Sequence, residues 1–153
     1  MRRINWQRLL LCGLLAGFVA NVLQFAVNRL YLFRLWNAAT GTLDRPMTGT
    51  HEHRLELAMM TFFGSILAVW VYAMIRTRLG AGPKTAALAG GMFWLMSWLF
   101  PVALWSLSGP FPMLPMSLLV THLMTYLGIA VVATMVGAWQ YKEHDNGEKG
   151  AKA

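Results

Sequence analysis

Apolar positions in this chain do not recur every third or fourth residue. They fill four unbroken runs, the pattern of helices surrounded by hydrocarbon rather than water. The first run extends from Leu9 to about Tyr31, the second from Leu55 to Ile75, the third from Thr85 to Leu107 and the fourth from Met113 to Tyr141. Crossing a hydrocarbon core about 30 Å thick takes about 20 helical residues, and no run carries Lys, Arg, Asp or Glu at its middle. Unpaired backbone groups are so costly in lipid that each run is predicted to be a helix. The expected fold is all-α: a polytopic transmembrane four-helix bundle over residues 1–141, followed by a polar tail at 142–153 with the composition of disordered chain.

Composition sharpens the picture. Only 12% of the 153 residues are charged while 57% are hydrophobic, against about 25% charged in soluble domains. The mean hydropathy is +0.48 for a 17.1 kDa chain, too few charges to cover a soluble globule of that size. Arg2, Arg3 and Arg8 resemble the start of a targeting peptide. The apolar run that follows is too long for one and meets no small-x-small cleavage site before Asn21, so the first span is expected to be retained. Cys12 is the only cysteine, which excludes an intrachain disulfide and a cysteine-cluster metal site.

Charge then sets the expected orientation. Nine Lys and Arg flank the ends that carry both termini and the middle loop (Arg2, Arg3, Arg8; Arg76, Arg78, Lys84; Lys142, Lys149, Lys152). Only four flank the opposite ends (Arg29, Arg34, Arg45, Arg54). The positive-inside rule therefore predicts both termini in the cytoplasm of a bacterial inner membrane. The net charge of +7 reads as topology with some attraction to anionic headgroups. It does not read as nucleic-acid binding, which needs basic residues on one folded face with aromatics between them. Trp6, Trp139, Tyr72 and Tyr141 fall at the cytoplasmic boundary, and Trp36 and Trp105 at the opposite one, as in aromatic belts. Trp70-Val71-Tyr72 and Trp139-Gln140-Tyr141, 69 residues apart, suggest a tandem repeat of two-helix hairpins.

Inside the runs, Gly13, Gly17, Asn21, Gln24 and Asn28 are spaced 4, 4, 3 and 4, which puts them on one helical face. Glycines let another helix approach, and the amides can hydrogen-bond to it. This face is read as the packing seam of the bundle, with a polar lining for a ligand or ion path as the rival. Partner faces are Thr61, Ser65, Ala68 and Tyr72 on the second span; Ala86, Gly90, Trp94 and Ser97 on the third; and His122, Thr125, Tyr126, Ala133 and Gly137 on the fourth. If they converge, the bundle has a polar but uncharged centre.

Two clusters could carry chemistry. His122 is an ionisable side chain well inside a span, a setting that calls for a functional hypothesis. It could ligate a haem or chlorin, with Thr121 or Thr125 orienting its second nitrogen and Trp94 and Trp98, one turn apart, stacking on the bound ring. The structural alternative is a hydrogen bond to Asn21, Gln24 or Asn28. The second cluster, His51, His53 and Glu56 with Glu52, offers borderline ligands of the kind zinc accepts. A solvated cap on the second helix is the simpler reading. His-Glu-x-x-His, Gly-x-Ser-x-Gly and phosphate-loop motifs are absent from the sequence, and no span holds a deep carboxylate for a proton relay.

The segments RLLLCGLLAGFVANVLQFAVN, GAGPKTAALAGG and GAWQY together make the chain similar to small uncharacterised four-span bacterial inner-membrane proteins. That resemblance implies a four-helix membrane protein and carries no catalytic residue across. The expected function is an accessory or assembly subunit without catalysis of its own, held among lipid and other transmembrane subunits or copies of itself. The alternatives are a small-molecule or pigment binder built on His122, and a small dimeric transporter or channel.

Overall fold

The computed structural model describes the backbone of residues 5–40, 51–108 and 115–141, and the side chains of all of these except 39–40, 51–53 and 105–108. Every described element is helical. Helix α1 (Trp6–Val27) continues through a π-helical turn (Asn28–Leu32) into α2 (Phe33–Thr40), making one rod. Helix α3 (His51–Leu79) is the second rod. The third consists of α4 (Pro83–Trp94), a second π turn (Leu95–Leu99) and α5 (Phe100–Ser108), and α6 (Met116–Gln140) is the fourth. The stretches Trp6–Ala38, Arg54–Leu79, Pro83–Leu104 and Met116–Gln140 are each long and apolar enough to cross a membrane. The chain is thus all-α, with four helices of membrane-spanning length.

Local chemistry sets the helix ends. The Asn5 side chain caps α1 by accepting from the Arg8 backbone N–H at 3.2 Å. Gly80, at φ 82°, closes α3 in the left-handed conformation that glycine adopts without strain. Pro83 then opens α4 at a position where its missing N–H costs nothing. Between them the Thr85 hydroxyl donates to the Gly80 carbonyl at 2.9 Å, which fixes the tight second-to-third connection. Proline also explains the second π turn. Pro101 cannot donate to the carbonyl of Ser97 and its ring would strike it. The helix widens just before the proline, and the Phe100 N–H reaches back five residues to the Leu95 carbonyl.

The rods form a closed ring: first on second, second on third, third on fourth, and fourth back on first. The register between α1 and α3 is antiparallel, since Gly13 meets Ile66, Gly17 meets Phe62, and Asn21 reaches Ala58. The interior changes along the axis. At the end holding Leu9, the α3–α4 turn and Tyr141, here the near end, the core is mainly small: Cys12, Ala16, Ala73, Ala86, Ala89 and Ala138, filled out by Leu9, Val69, Tyr72 and Tyr141. A middle layer joins Ala20, Ile129 and Ala133. The far end is filled by Leu32, Trp94 and Tyr126, with Trp36 and Trp98 packed against them. Large apolar side chains such as Phe18, Phe25, Met60, Phe63, Met96 and Trp139 point outward, as expected for helices that face lipid.

Candidate functional site

The residues of the anticipated seam do not form one stripe. A Cβ built on Gly13 would lie 2.7 Å from the Ile66 Cα, and one on Gly17 3.0 Å from the Phe62 Cα, so both glycines are points of backbone contact with α3. Asn21 Nδ2 donates to the Gly17 carbonyl at 2.9 Å and, across the interface, to the Ala58 carbonyl at 3.4 Å. The Thr61 hydroxyl donates to the Leu57 carbonyl of its own rod at 2.9 Å and lies 3.3 Å from Gln24 Oε1, with which it shares that proton. Asn28 turns to another rod, donating to the Tyr126 hydroxyl at 3.3 Å. The first-rod amides therefore serve two interfaces rather than a shared centre.

The partner faces divide in the same way. Gly90 packs on α6, where a Cβ would sit 2.9 Å from the Ala130 carbonyl oxygen. Ser65 is buried. The Ser97 hydroxyl donates to the Phe93 carbonyl at 2.7 Å and the Thr125 hydroxyl to the Thr121 carbonyl at 2.8 Å, so both are satisfied within their own rods. Tyr72 and Tyr141 are not belt residues. Both are only 3% exposed, and their rings meet edge-on at 6.4 Å. Trp6 and Trp139, by contrast, are 61% and 84% exposed.

What the fold does assemble is an aromatic box at the far end. The His122 ring on α6 lies 4.4 Å from Tyr126, 5.5 Å from Trp98 of the third rod and 5.7 Å, edge-on, from Trp36 of the first. Trp98 and Tyr126 are 4.2 Å apart. Trp94 anchors the wall by donating its indole N–H to the Leu123 carbonyl at 2.9 Å. His122 Nδ1 is closed off from solvent and has no hydrogen-bond partner among the described residues. The expected bond from His122 to Asn21, Gln24 or Asn28 is not made; the bonds those amides do make go to Ala58, Thr61 and Tyr126.

Trp36 is the member that sequence reasoning placed in the outer belt. The signal that could have found it is its spacing: Asn28, Leu32 and Trp36 recur every four residues, as do Ala86, Gly90, Trp94 and Trp98. At 100° per residue each such step overshoots a turn by about 40°. Two steps in a straight helix would carry Trp36 and Trp98 toward lipid. The π turn Asn28–Leu32 lies within the first interval and Trp98 lies inside the π turn Leu95–Leu99; each wider turn offsets part of the overshoot and keeps both tryptophans on the interior face.

Chemically the box offers one imidazole among aromatic faces. Grooves among the described residues lie at the near end, one beside Arg76 and one beside Cys12. In the second candidate cluster Glu56 is exposed, and the side chains of His51 and His53 lie outside the described residues. Among the described residues no three His, Cys, Asp or Glu side chains gather as metal ligands would. The chain matches no family model, no curated protein and no solved structure, so the functional reading rests on this geometry.

Proposed function

We propose that this chain is a multi-pass protein of the bacterial inner membrane, without catalysis of its own, that acts as an accessory or assembly subunit among other transmembrane helices. The observation that carries the reading is where the polar groups go. Asn21, Gln24 with Thr61, Asn28 with Tyr126, and Trp94 all bond from one rod to the next. Interhelical bonds of this kind contribute about 0.6 kcal/mol each and rarely reach 2. They tie neighbouring rods to one another and fix their register. The large apolar surface is left to lipid and to other helices.

Both chain ends are assigned to the cytoplasm, on the basic-residue count at the near end. The two hairpins are taken as a tandem repeat about an axis along the membrane normal. The edge-on meeting of Tyr72 and Tyr141, corresponding positions of the two halves, is what such an axis would produce. Native electrophoresis of membranes solubilised in a mild detergent tests the assembly role. The chain should migrate with other transmembrane chains in fixed stoichiometry, well above its own 17.1 kDa. A monodisperse, partner-free monomer would contradict the proposal.

One observation favours the second reading, a binder of a small molecule or pigment. It is the buried and unpartnered Nδ1 of His122 inside a ring of aromatics. A visible absorbance band that disappears in His122→Ala would establish that reading in place of the first.

A further inference from the structure

The aromatic box holds one side chain whose charge changes near neutral pH. His122 is half-buried, and its Nδ1 is closed off from solvent with no hydrogen-bond partner among the described residues. Three rods meet on it: Trp36 of the first, Trp98 of the third and Tyr126 of α6 itself, with ring centres 5.7, 5.5 and 4.4 Å away. The groups around it can be named rod by rod. On α6 the titratable neighbour is Tyr126, whose hydroxyl accepts from Asn28 at 3.3 Å. On the first rod Arg29, Tyr31 and Arg34 are exposed. The third rod has no charged residue from Thr85 to Leu104. Rod α3 contributes no residue to the box, and its Glu56, the one carboxylate among the described side chains, is exposed.

A neutral imidazole suits this place and an imidazolium does not. A second ring proton makes both nitrogens donors and gives the ring a full charge. The Nδ1–H then meets no acceptor, and no described carboxylate balances the charge. Aromatic faces attract a cation, but they offset only part of the cost of holding an unpaired charge away from water. Relief comes from parting the rods, and the fold provides for it. The π turns Asn28–Leu32 and Leu95–Leu99 widen the first and third rods at this level, and such turns are where helices bend. We propose that His122 is a proton-operated latch: neutral, it lets the box close, and protonated, it drives the far end of the first rod away from α6. Closure is complete above the pH range in which the imidazole takes up its proton and is lost as the pH falls through that range. On the proposed orientation the far end faces away from the cytoplasm, so the latch responds to the pH on that side. It is independent of the accessory-subunit role.

The test is the distance between spin labels on the full chain in lipid nanodiscs, in a Cys12→Ser background. One pair, Asn37→Cys with Val120→Cys, spans the first rod and α6 at the far end. The other, Leu11→Cys with Trp139→Cys, spans the same two rods at the near end, and all four positions are exposed. As the pH falls from about 8 to about 5, the range in which histidine changes charge, the far-end distance should lengthen while the near-end distance holds. His122→Phe keeps a ring that takes no proton, so its far-end distance should stay at the starting value throughout. An unchanged far-end distance in the wild type, the same lengthening in His122→Phe, or equal lengthening at both ends would each overturn the proposal. If His122→Phe does not fold, NMR of isotope-labelled histidine in a chain carrying His51→Gln, His53→Gln and His144→Gln reads the His122 ring directly. That ring should titrate with the same midpoint as the far-end distance, and a different midpoint or no titration overturns the proposal.

Discussion

His122 and the interhelical glycines show how one atom decides the role of a side chain in lipid. The Nδ1 of His122 is buried without a partner, and an unsatisfied buried polar atom costs about 1–3 kcal/mol. Edge-on ring contacts, each contributing about 0.5–1.5 kcal/mol, offset that cost. A ring of similar shape without the nitrogen keeps the contacts and removes the cost. His122→Phe is therefore expected to leave the detergent-purified protein as stable as wild type or up to about 2 kcal/mol more stable in an SDS unfolding titration. A clear loss of stability would mean that the nitrogen makes a bond of its own.

Glycine gives the complementary case. At Gly13 a Cβ would stand 2.7 Å from the α3 backbone, whereas at Gly91 it would meet nothing within 4 Å. Gly13→Leu should force the first two rods apart and cost at least about 1–3 kcal/mol. Gly91→Ala should be neutral or stabilising by about 0.5–1 kcal/mol. The same titration reads both, and equal effects at the two positions would refute the close approach of α1 and α3. The sequence carried this much of the contact: the glycine spacing marked a packing face and its amides as groups able to hydrogen-bond to a neighbouring helix. It did not carry the choice of partner: Gly13, Gly17, Asn21 and Gln24 meet α3 while Asn28, beyond the end of α1, meets α6, and the spacing reads the same for either neighbour.

At the scale of elements, the two π turns are what let an interval of eight residues behave as two helical turns. From Asn28 to Trp36 and from Gly90 to Trp98 the chain advances eight positions; the first interval holds the π turn Asn28–Leu32, and the second runs into the π turn Leu95–Leu99. Removing one residue inside such a turn restores a regular α-helix and preserves the facing of both flanks. Removing one from a regular stretch rotates the flanks by about 100°. Deletion of Leu30, exposed in the first π turn, should therefore keep the protein folded, with its near-ultraviolet dichroism intact. Deletion of Val22, exposed in α1, should abolish it. The opposite ranking would show that the widened turn does not set the register.

Four membrane-length helices were legible because burial in lipid requires unbroken apolar runs. The π turns were signalled only indirectly, by the four-residue recurrence and by Pro101. The aromatic box was half legible. His122, Trp94 and Trp98 stood out as side chains deep in spans, but Trp36 lies near the end of its rod, where a tryptophan is expected at an interface anyway. Tyr72 and Tyr141 misled for the same reason. Boundary aromatics read alike in sequence whether they face headgroups or, as here, each other around Arg76.

Taken whole, the molecule is a ring of four antiparallel rods, closely approached over glycine and alanine at one end and packed over aromatics at the other. With little hydrophobic driving force between helices in lipid, van der Waals contact at the small residues and the scattered interhelical bonds hold the ring together. Among the described residues Arg8, Arg76, Arg78 and Lys84 lie toward the near end, and on the proposed reading the positive-inside rule turns that end to the cytoplasm. Membrane crossing with both ends in the cytoplasm is the claim on which the assembly role depends.

Cysteine accessibility in intact and permeabilised cells tests it most directly. In a Cys12→Ser background, Asn37→Cys should react with a membrane-impermeant maleimide in intact cells, while Ala81→Cys and Lys149→Cys should react only after permeabilisation. Labelling of Lys149→Cys in intact cells, or release of the chain into the soluble fraction by alkaline carbonate, would contradict the account.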